Sequence, residues 1–140
     1  MFKKGMLVGM LMIVACGQSE IKPVDFYPED MCASCRMAIS EKQFAGEIVT
    51  KEGTALKFDD LRCMRKYLKD RGTEQVAEYF FIDYDGRNWI KGRDVILMRS
   101  TEISTPMGGN TVAFLTRAKA EAAAAKYQGQ VLSFADFFEK

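Results

Sequence analysis

One local order occurs twice in this chain of 140 residues, and it limits the fold more than any other feature: two short β-prone runs, a helix, then a returning strand. Residues 44–51 (FAGEIVTK) favour a strand, Glu52-Gly53 supplies a turn, and residues 54–58 return as the second arm of a hairpin. Asp59 or Asp60 suits a helix N-cap, and Lys69, Arg71 and Gly72 carry a C-terminal signal. Between them Asp60, Cys63, Met64, Tyr67 and Leu68 share one side of the helix. Residues 76–84 (VAEYFFIDY) form a strand ended by Asp85-Gly86. The second pass has strands at 94–98 and 110–115, then a helix capped by Thr116 and running to Lys126, with Ala120, Ala123, Ala124 and Tyr127 on one face. Gly129 is expected to close that helix, and residues 131–134 return as a strand. This order predicts an α+β domain of two β-β-α-β repeats over residues 30–140, with halves at about 30–86 and 87–140. Residues 133–140 (SFADFFEK) add a helical turn whose phenylalanines pack on the body.

The N-terminus carries an export signal. Lys3 and Lys4 precede an apolar run from Met6 to Val14, then Ala15 and Cys16. About nine apolar residues are too few to span a bilayer, which takes roughly 20. Residues 1–15 therefore read as a cleavable signal. Ile13-Val14-Ala15-Cys16 resembles a bacterial lipobox, which makes Cys16 the lipidated residue. Acyl chains there anchor the protein, at about 0.8 kcal/mol per buried methylene. Residues 16–29 form the lipidated start and a polar tether. The expected location is the cell membrane or outer membrane, with the domain facing the periplasm or exterior. Gly17, in place of an aspartate, favours the outer membrane in a Gram-negative cell.

Charge and residue usage exclude several function classes. The chain's net charge of +1 becomes −1 once Lys3 and Lys4 are removed, and no dense basic run lies beside aromatics, so nucleic-acid binding is disfavoured. There is no histidine, which rules out Ser-His-Asp, Cys-His and histidine-based zinc hydrolysis. With Cys16 committed to lipid, Cys32, Cys35 and Cys63 remain, an odd set that leaves a thiol unpaired in an oxidising compartment.

Those thiols sit among methionines. Met31-Cys32-Ala33-Ser34-Cys35-Arg36-Met37 lacks helical or strand period, and Cys-x-x-Cys brings two thiolates close enough to chelate a metal or close a disulfide. Cys63 and Met64 fall in the first turns of the first helix, and Met107 lies in a loop, Thr105-Pro106-Met107-Gly108-Gly109-Asn110, whose composition is not a core pattern. Sulfur ligands suit Cu(I), whereas a closed zinc site wants four ligands and usually imidazole or carboxylate among them. Bland readings stand beside this one: a structural Cys32–Cys35 disulfide, Cys63 and Met64 as core, Met98 as core, and Met31 as either.

Taken in order, Cys32-Ala33-Ser34-Cys35-Arg36-Met37-Ala38-Ile39, Lys57-Phe58-Asp59-Asp60-Leu61-Arg62-Cys63-Met64, Trp89-Ile90, Thr105-Pro106-Met107-Gly108-Gly109 and Ala113-Phe114 resemble the NosL family, copper-binding lipoproteins accessory to nitrous oxide reductase maturation. The resemblance implies a fold related to part of organomercurial lyase and a single Cu(I) site drawing on Cys32, Cys35, Met37 and Met107. Two departures stand out. Arg36 replaces a usual glycine, so the loop is not expected to use a positive φ there, and its cation is expected to favour thiolate beside it. Some members are thought to use histidine at copper; here either Cys63 or a carboxylate from Asp59 or Asp60 takes that role, or the site is lower-coordinate.

The resulting expectation is a membrane-tethered Cu(I) carrier, not an enzyme. Cys35 and Met107 hold the ion with Cys32, Met37 or Cys63 assisting. The ion passes by ligand exchange to an extracytoplasmic copper enzyme, with nitrous oxide reductase as one candidate, or to a copper-transport partner. Two rivals remain: a thiol-disulfide oxidoreductase using Cys32 and Cys35, which lacks the helix-start context of a thioredoxin-like site, and a metal-free adaptor lipoprotein with a structural disulfide.

Overall fold

A computed structural model describes residues 15–140. Apart from Ala15, the expected signal lies outside the described residues. Cys16 is exposed, and the chain from there up to Tyr27 has no regular structure. Among the described residues, no helix is long and apolar enough to cross a membrane.

The first unit is a four-stranded antiparallel sheet in the order β2-β1-β3-β4, comprising β1 (Gly46–Thr50), β2 (Ala55–Phe58), β3 (Val76–Ile82) and β4 (Trp89–Lys91). Helix α1 (Leu61–Arg71) connects β2 to β3. The second unit is a three-stranded antiparallel sheet in the order β6-β5-β7, comprising β5 (Ile96–Arg99), β6 (Thr111–Phe114) and β7 (Gln130–Leu132). Helix α2 (Arg117–Tyr127) connects β6 to β7, and a one-turn helix α3 (Phe134–Phe138) follows. The α+β architecture and the repeated β-β-α-β order are thus as the sequence predicts. Strand β4 is an addition. It lies in the second half of the chain yet pairs with β3, and at three residues it is too short to show a period.

The two sheets join where β3 ends. Tyr84 N–H donates to the Ala113 carbonyl at 2.8 Å, and the Asp83 carboxylate accepts the Leu115 N–H at 3.2 Å. A shared core lies between the units. Ile48, Phe58 and Phe81 of the first sheet meet Leu61 and Met64 of α1, with Leu97, Phe134 and Phe137 from the second unit. Met64 and Met98 are fully buried, which makes both core residues. Helix α2 is nearly all alanine on its inner side, and these small side chains let it pack closely on Met98, Val112 and Phe114.

Gly129 does not cap α2 as expected. Gln128 holds the left-handed position at φ 49, and Gly129 follows it. A Cβ at Gly129 would collide with Met98 Sδ and the Arg99 carbonyl, so the glycine is required by close approach to β5.

The other face of the first sheet is covered by the segment leading into β1. Phe26 and Ile39 pack there on Ala45 and Ile82, with Phe26 stacked on Trp89. Two buried charged residues lie beneath this cover. Lys57 Nζ donates to the Asp25 carbonyl at 2.6 Å and to Asp30 Oδ2 at 2.5 Å. Glu47 Oε1 accepts the Val24 N–H at 2.8 Å, while its Oε2 has no partner among the described residues. Burial pushes the Glu47 carboxyl up to about 7.

Candidate metal centre

The Cys-x-x-Cys segment folds as a closed turn on an edge strand. Cys32 N–H donates to the Met37 carbonyl at 2.8 Å, Arg36 N–H to the Cys32 carbonyl at 3.0 Å, and Met31 bridges Ala38 across the base. Ala33 N–H donates to the Lys57 carbonyl at 2.8 Å, which pins the turn to β2 immediately before Asp59. Closing this turn places Arg36 at φ 67, so the left-handed conformation is used there without glycine, contrary to the sequence expectation. The two closing hydrogen bonds offset a strain of about 1–2 kcal/mol for a residue with a Cβ.

Helix α1 then delivers the third thiol. Asp60 is the N-cap, its Oδ1 accepting the Arg62 N–H at 2.8 Å, which leaves Asp59 free to face the turn. Cys63 lies in the first turn of α1, on the face that buries Leu61 and Met64. As a result Cys32, Cys35, Cys63 and Asp59 each offer a donor atom, all within 4.8 Å of one another. Cys32 and Cys63 are buried and Cys35 is half-buried; all three are free thiols. The Cys35 thiol donates to the Asp59 carboxylate, at 3.5 Å to Oδ1 and 3.6 Å to Oδ2.

The three thiols are not equivalent. The hydrogen bond from the Cys63 thiol, opposed by burial and aided by backbone N–H groups including that of Cys35, brings Cys32 down to about 6. Cys63 is pushed up as the donor of that bond, and burial pushes Cys35 up. The cluster thus favours one thiolate within the Cys32–Cys63 pair, with Cys35 held toward its protonated form. A soft cation entering here meets one ready ligand and displaces protons from the others, with Asp59 placed to accept that of Cys35.

The cluster opens on a cavity of about 250 Å³ lined by Ser34, Cys35, Arg62, Cys63, Lys66 and Met107. Met107 is brought there by the second loop, which Asp60 ties to the start of α1. Asp60 Oδ2 accepts from Thr105 Oγ1 at 2.6 Å, Met107 N–H at 2.8 Å and Gly109 N–H at 3.3 Å. A Cβ at Gly109 would collide with the Asp60 carboxylate, so glycine is needed for this approach.

Of the five candidate ligands, Cys32, Cys35 and Cys63 come together, and Met107 borders the same cavity. Met37 is 58% exposed and Met31 56%, and neither lines the cavity. Arg36 is exposed and lines a different surface depression with Asp30 and Met31; the cations at the thiol cavity are Arg62 and Lys66. Sequence reasoning passes over both, although they flank Cys63 on α1 at −1 and +3. Two thiolates around a monovalent cation would carry net −1, and the Asp59 carboxylate adds to it. Arg62 supplies opposite charge, while Lys66 is paired with Asp70. The three thiols suit a soft ion, and with Asp59 the cluster also numbers the four donors that a closed zinc site uses.

Comparison with known proteins gives two results. The NosL family model matches residues 23–140. The crystal structure of the copper chaperone NosL from Shewanella denitrificans superposes with a TM-score of 0.76 at 22% identity, covering 84% of this chain and 96% of that one. Among curated proteins, none matches.

Proposed function

The chain belongs to the NosL family, and we propose that it is a lipid-anchored carrier that holds Cu(I) and gives it to an extracytoplasmic copper enzyme. The superposing crystal structure is that of a copper chaperone, and the reading requires no catalytic step. The observation that carries it is the convergence of three free thiols and Asp59 within 4.8 Å, at the wall of a cavity that also exposes Met107. Cys32 and Cys35 are the principal ligands, with Cys63 as a third thiolate from α1 and Met107 as a thioether from the opposite loop. Met37 enters only if the turn rearranges on binding.

Transfer follows from the same geometry. Cys35 and Met107 lie on the open side of the site, so an incoming sulfur or imidazole of the acceptor meets them before Cys32. Ligand exchange then moves the ion without free copper. Anchoring through Cys16 keeps the carrier at the membrane surface, facing the periplasm or exterior. Nitrous oxide reductase is the client that the family suggests.

Copper content and thiol count, measured on one sample purified without oxygen, test the proposal. One copper per chain with the domain thiols reduced supports it. A metal-free protein with a quantitative Cys32–Cys35 disulfide would return the reading to an adaptor lipoprotein.

A further inference from the structure

Beside the thiol cavity lies a second one, of about 330 Å³, and Arg62 lines both. Its other charged walls are Arg65 from α1 and Arg99 from β5, and Thr101 and Asn110 supply polar groups. Among the described residues, no carboxylate lines either cavity, in a chain with 20 basic and 19 acidic residues. Among the same residues, Arg62 and Arg99 form no ion pair, although other surface cations such as Lys66, Arg93 and Arg117 do. All three arginines are held in place. Arg62 donates to the Met107 carbonyl at 3.1 Å and Arg65 to a terminal oxygen of Lys140 at 2.8 Å, while the guanidinium groups of Arg65 and Arg99 lie over the Phe137 ring at 5.4 and 5.5 Å.

Carbonyl bonding and ring stacking fix a guanidinium without neutralising it, and leave most of its five N–H donors free. Two such groups, Arg62 and Arg99, with Arg65 beside them on one cavity wall, form a receptor for carboxylate, the anion they pair with bidentately. We infer that this arginine cavity is a docking socket for acidic side chains on the protein that receives the copper. The inference rests on the carrier reading above for the identity of that partner. Because Arg62 belongs to both cavities, a carboxylate seated among the arginines brings the acceptor's ligands over Cys35 and Met107. Charge attraction of this kind raises encounter rates and fixes the register of docking.

The test uses the full-length protein in non-ionic detergent and a fluorescent hexaglutamate peptide, with anisotropy as the readout, so that it does not depend on copper. Saturable binding is expected. It should weaken by about tenfold or more in raised salt and in the Arg65→Gln/Arg99→Gln variant, and a hexalysine peptide should not bind. The variant leaves the thiol cavity intact, and its thermal midpoint checks folding. Equal binding by the variant, or none by the parent, overturns the inference. Tighter binding of inorganic phosphate than of the peptide also overturns it, making the cavity a small-oxyanion site. In a second arm, Cu(I) should move faster to a Cys-x-x-Cys peptide flanked by glutamates than to one flanked by lysines, and equal rates count against docking. Failure of the protein to load copper would refute the carrier reading, while peptide binding still decides the socket.

Discussion

Asp60→Ala should be among the most damaging single substitutions in this domain. Asp60 is fully buried and its carboxylate accepts four hydrogen bonds, from Arg62 N–H, Thr105 Oγ1, Met107 N–H and Gly109 N–H. Loss of a helix N-cap costs about 1 kcal/mol. Removing the charged acceptor also strands the Thr105 hydroxyl and the Met107 N–H, at about 1–3 kcal/mol each. The 3.3 Å bond to Gly109 adds little, so the total comes to about 3–7 kcal/mol. Set against a typical stability of about 5–15 kcal/mol, that is a large share. Chemical denaturation followed by far-ultraviolet circular dichroism measures it directly. Asp60→Asn, which keeps the shape but turns an amide toward backbone donors, should recover only part of the loss. A second consequence separates a positioning role from simple destabilisation: under native conditions, Asp60→Ala should free the Met107 loop and add little further loss of copper retention when combined with Met107→Ala. A loss of less than about 1 kcal/mol would refute the reasoning, because no combination of a buried cap and two stranded donors is that small.

Two further predictions concern the turn and the covered sheet face. Glu47 carries a carboxyl raised from 4.5 to about 7 by burial, so the folded state holds a proton that the unfolded chain releases. Stability should therefore fall as pH rises from about 4.5 through 7, by about 3 kcal/mol at most. Glu47→Gln should flatten that part of the profile and raise the denaturation midpoint above neutral pH; a variant profile parallel to the parent's would contradict this. Arg36→Gly removes a Cβ from a residue at φ 67. After the entropic cost of glycine in the unfolded chain, the variant should gain up to about 1 kcal/mol in denaturant unfolding. A loss of stability would mean that the arginine side chain itself holds the turn.

Much of the fold is visible in local sequence because its signals are local. Glu52-Gly53 makes the turn between β1 and β2, Thr116 caps α2, and Ser133 caps α3 through a reciprocal bond with Asp136. What escapes local reading is set by tertiary contact. Lys57 and Glu47 are charged positions in β-strands that would ordinarily face water, yet the segment around Phe26 and Ile39 covers them. Local sequence narrows the N-cap to Asp59 or Asp60, and only the packing of the Met107 loop decides for Asp60. Cys-x-x-Cys is legible as a pair, whereas its union with Cys63 depends on the Ala33 N–H reaching the Lys57 carbonyl. The arginine cavity leaves no sequence trace, since Arg65 and Arg99 come from different units.

Whether the three thiols of this cluster bind Cu(I) is decided most directly by competition of the reduced full-length protein against a colorimetric Cu(I) chelator, without oxygen. The expected result is retention of one Cu(I) per chain, with Cys35→Ser weakening retention by more than the roughly 10–100-fold that follows loss of an outer-shell partner. Failure to hold copper against the chelator, or retention unchanged in Cys35→Ser, would contradict copper binding by these thiols.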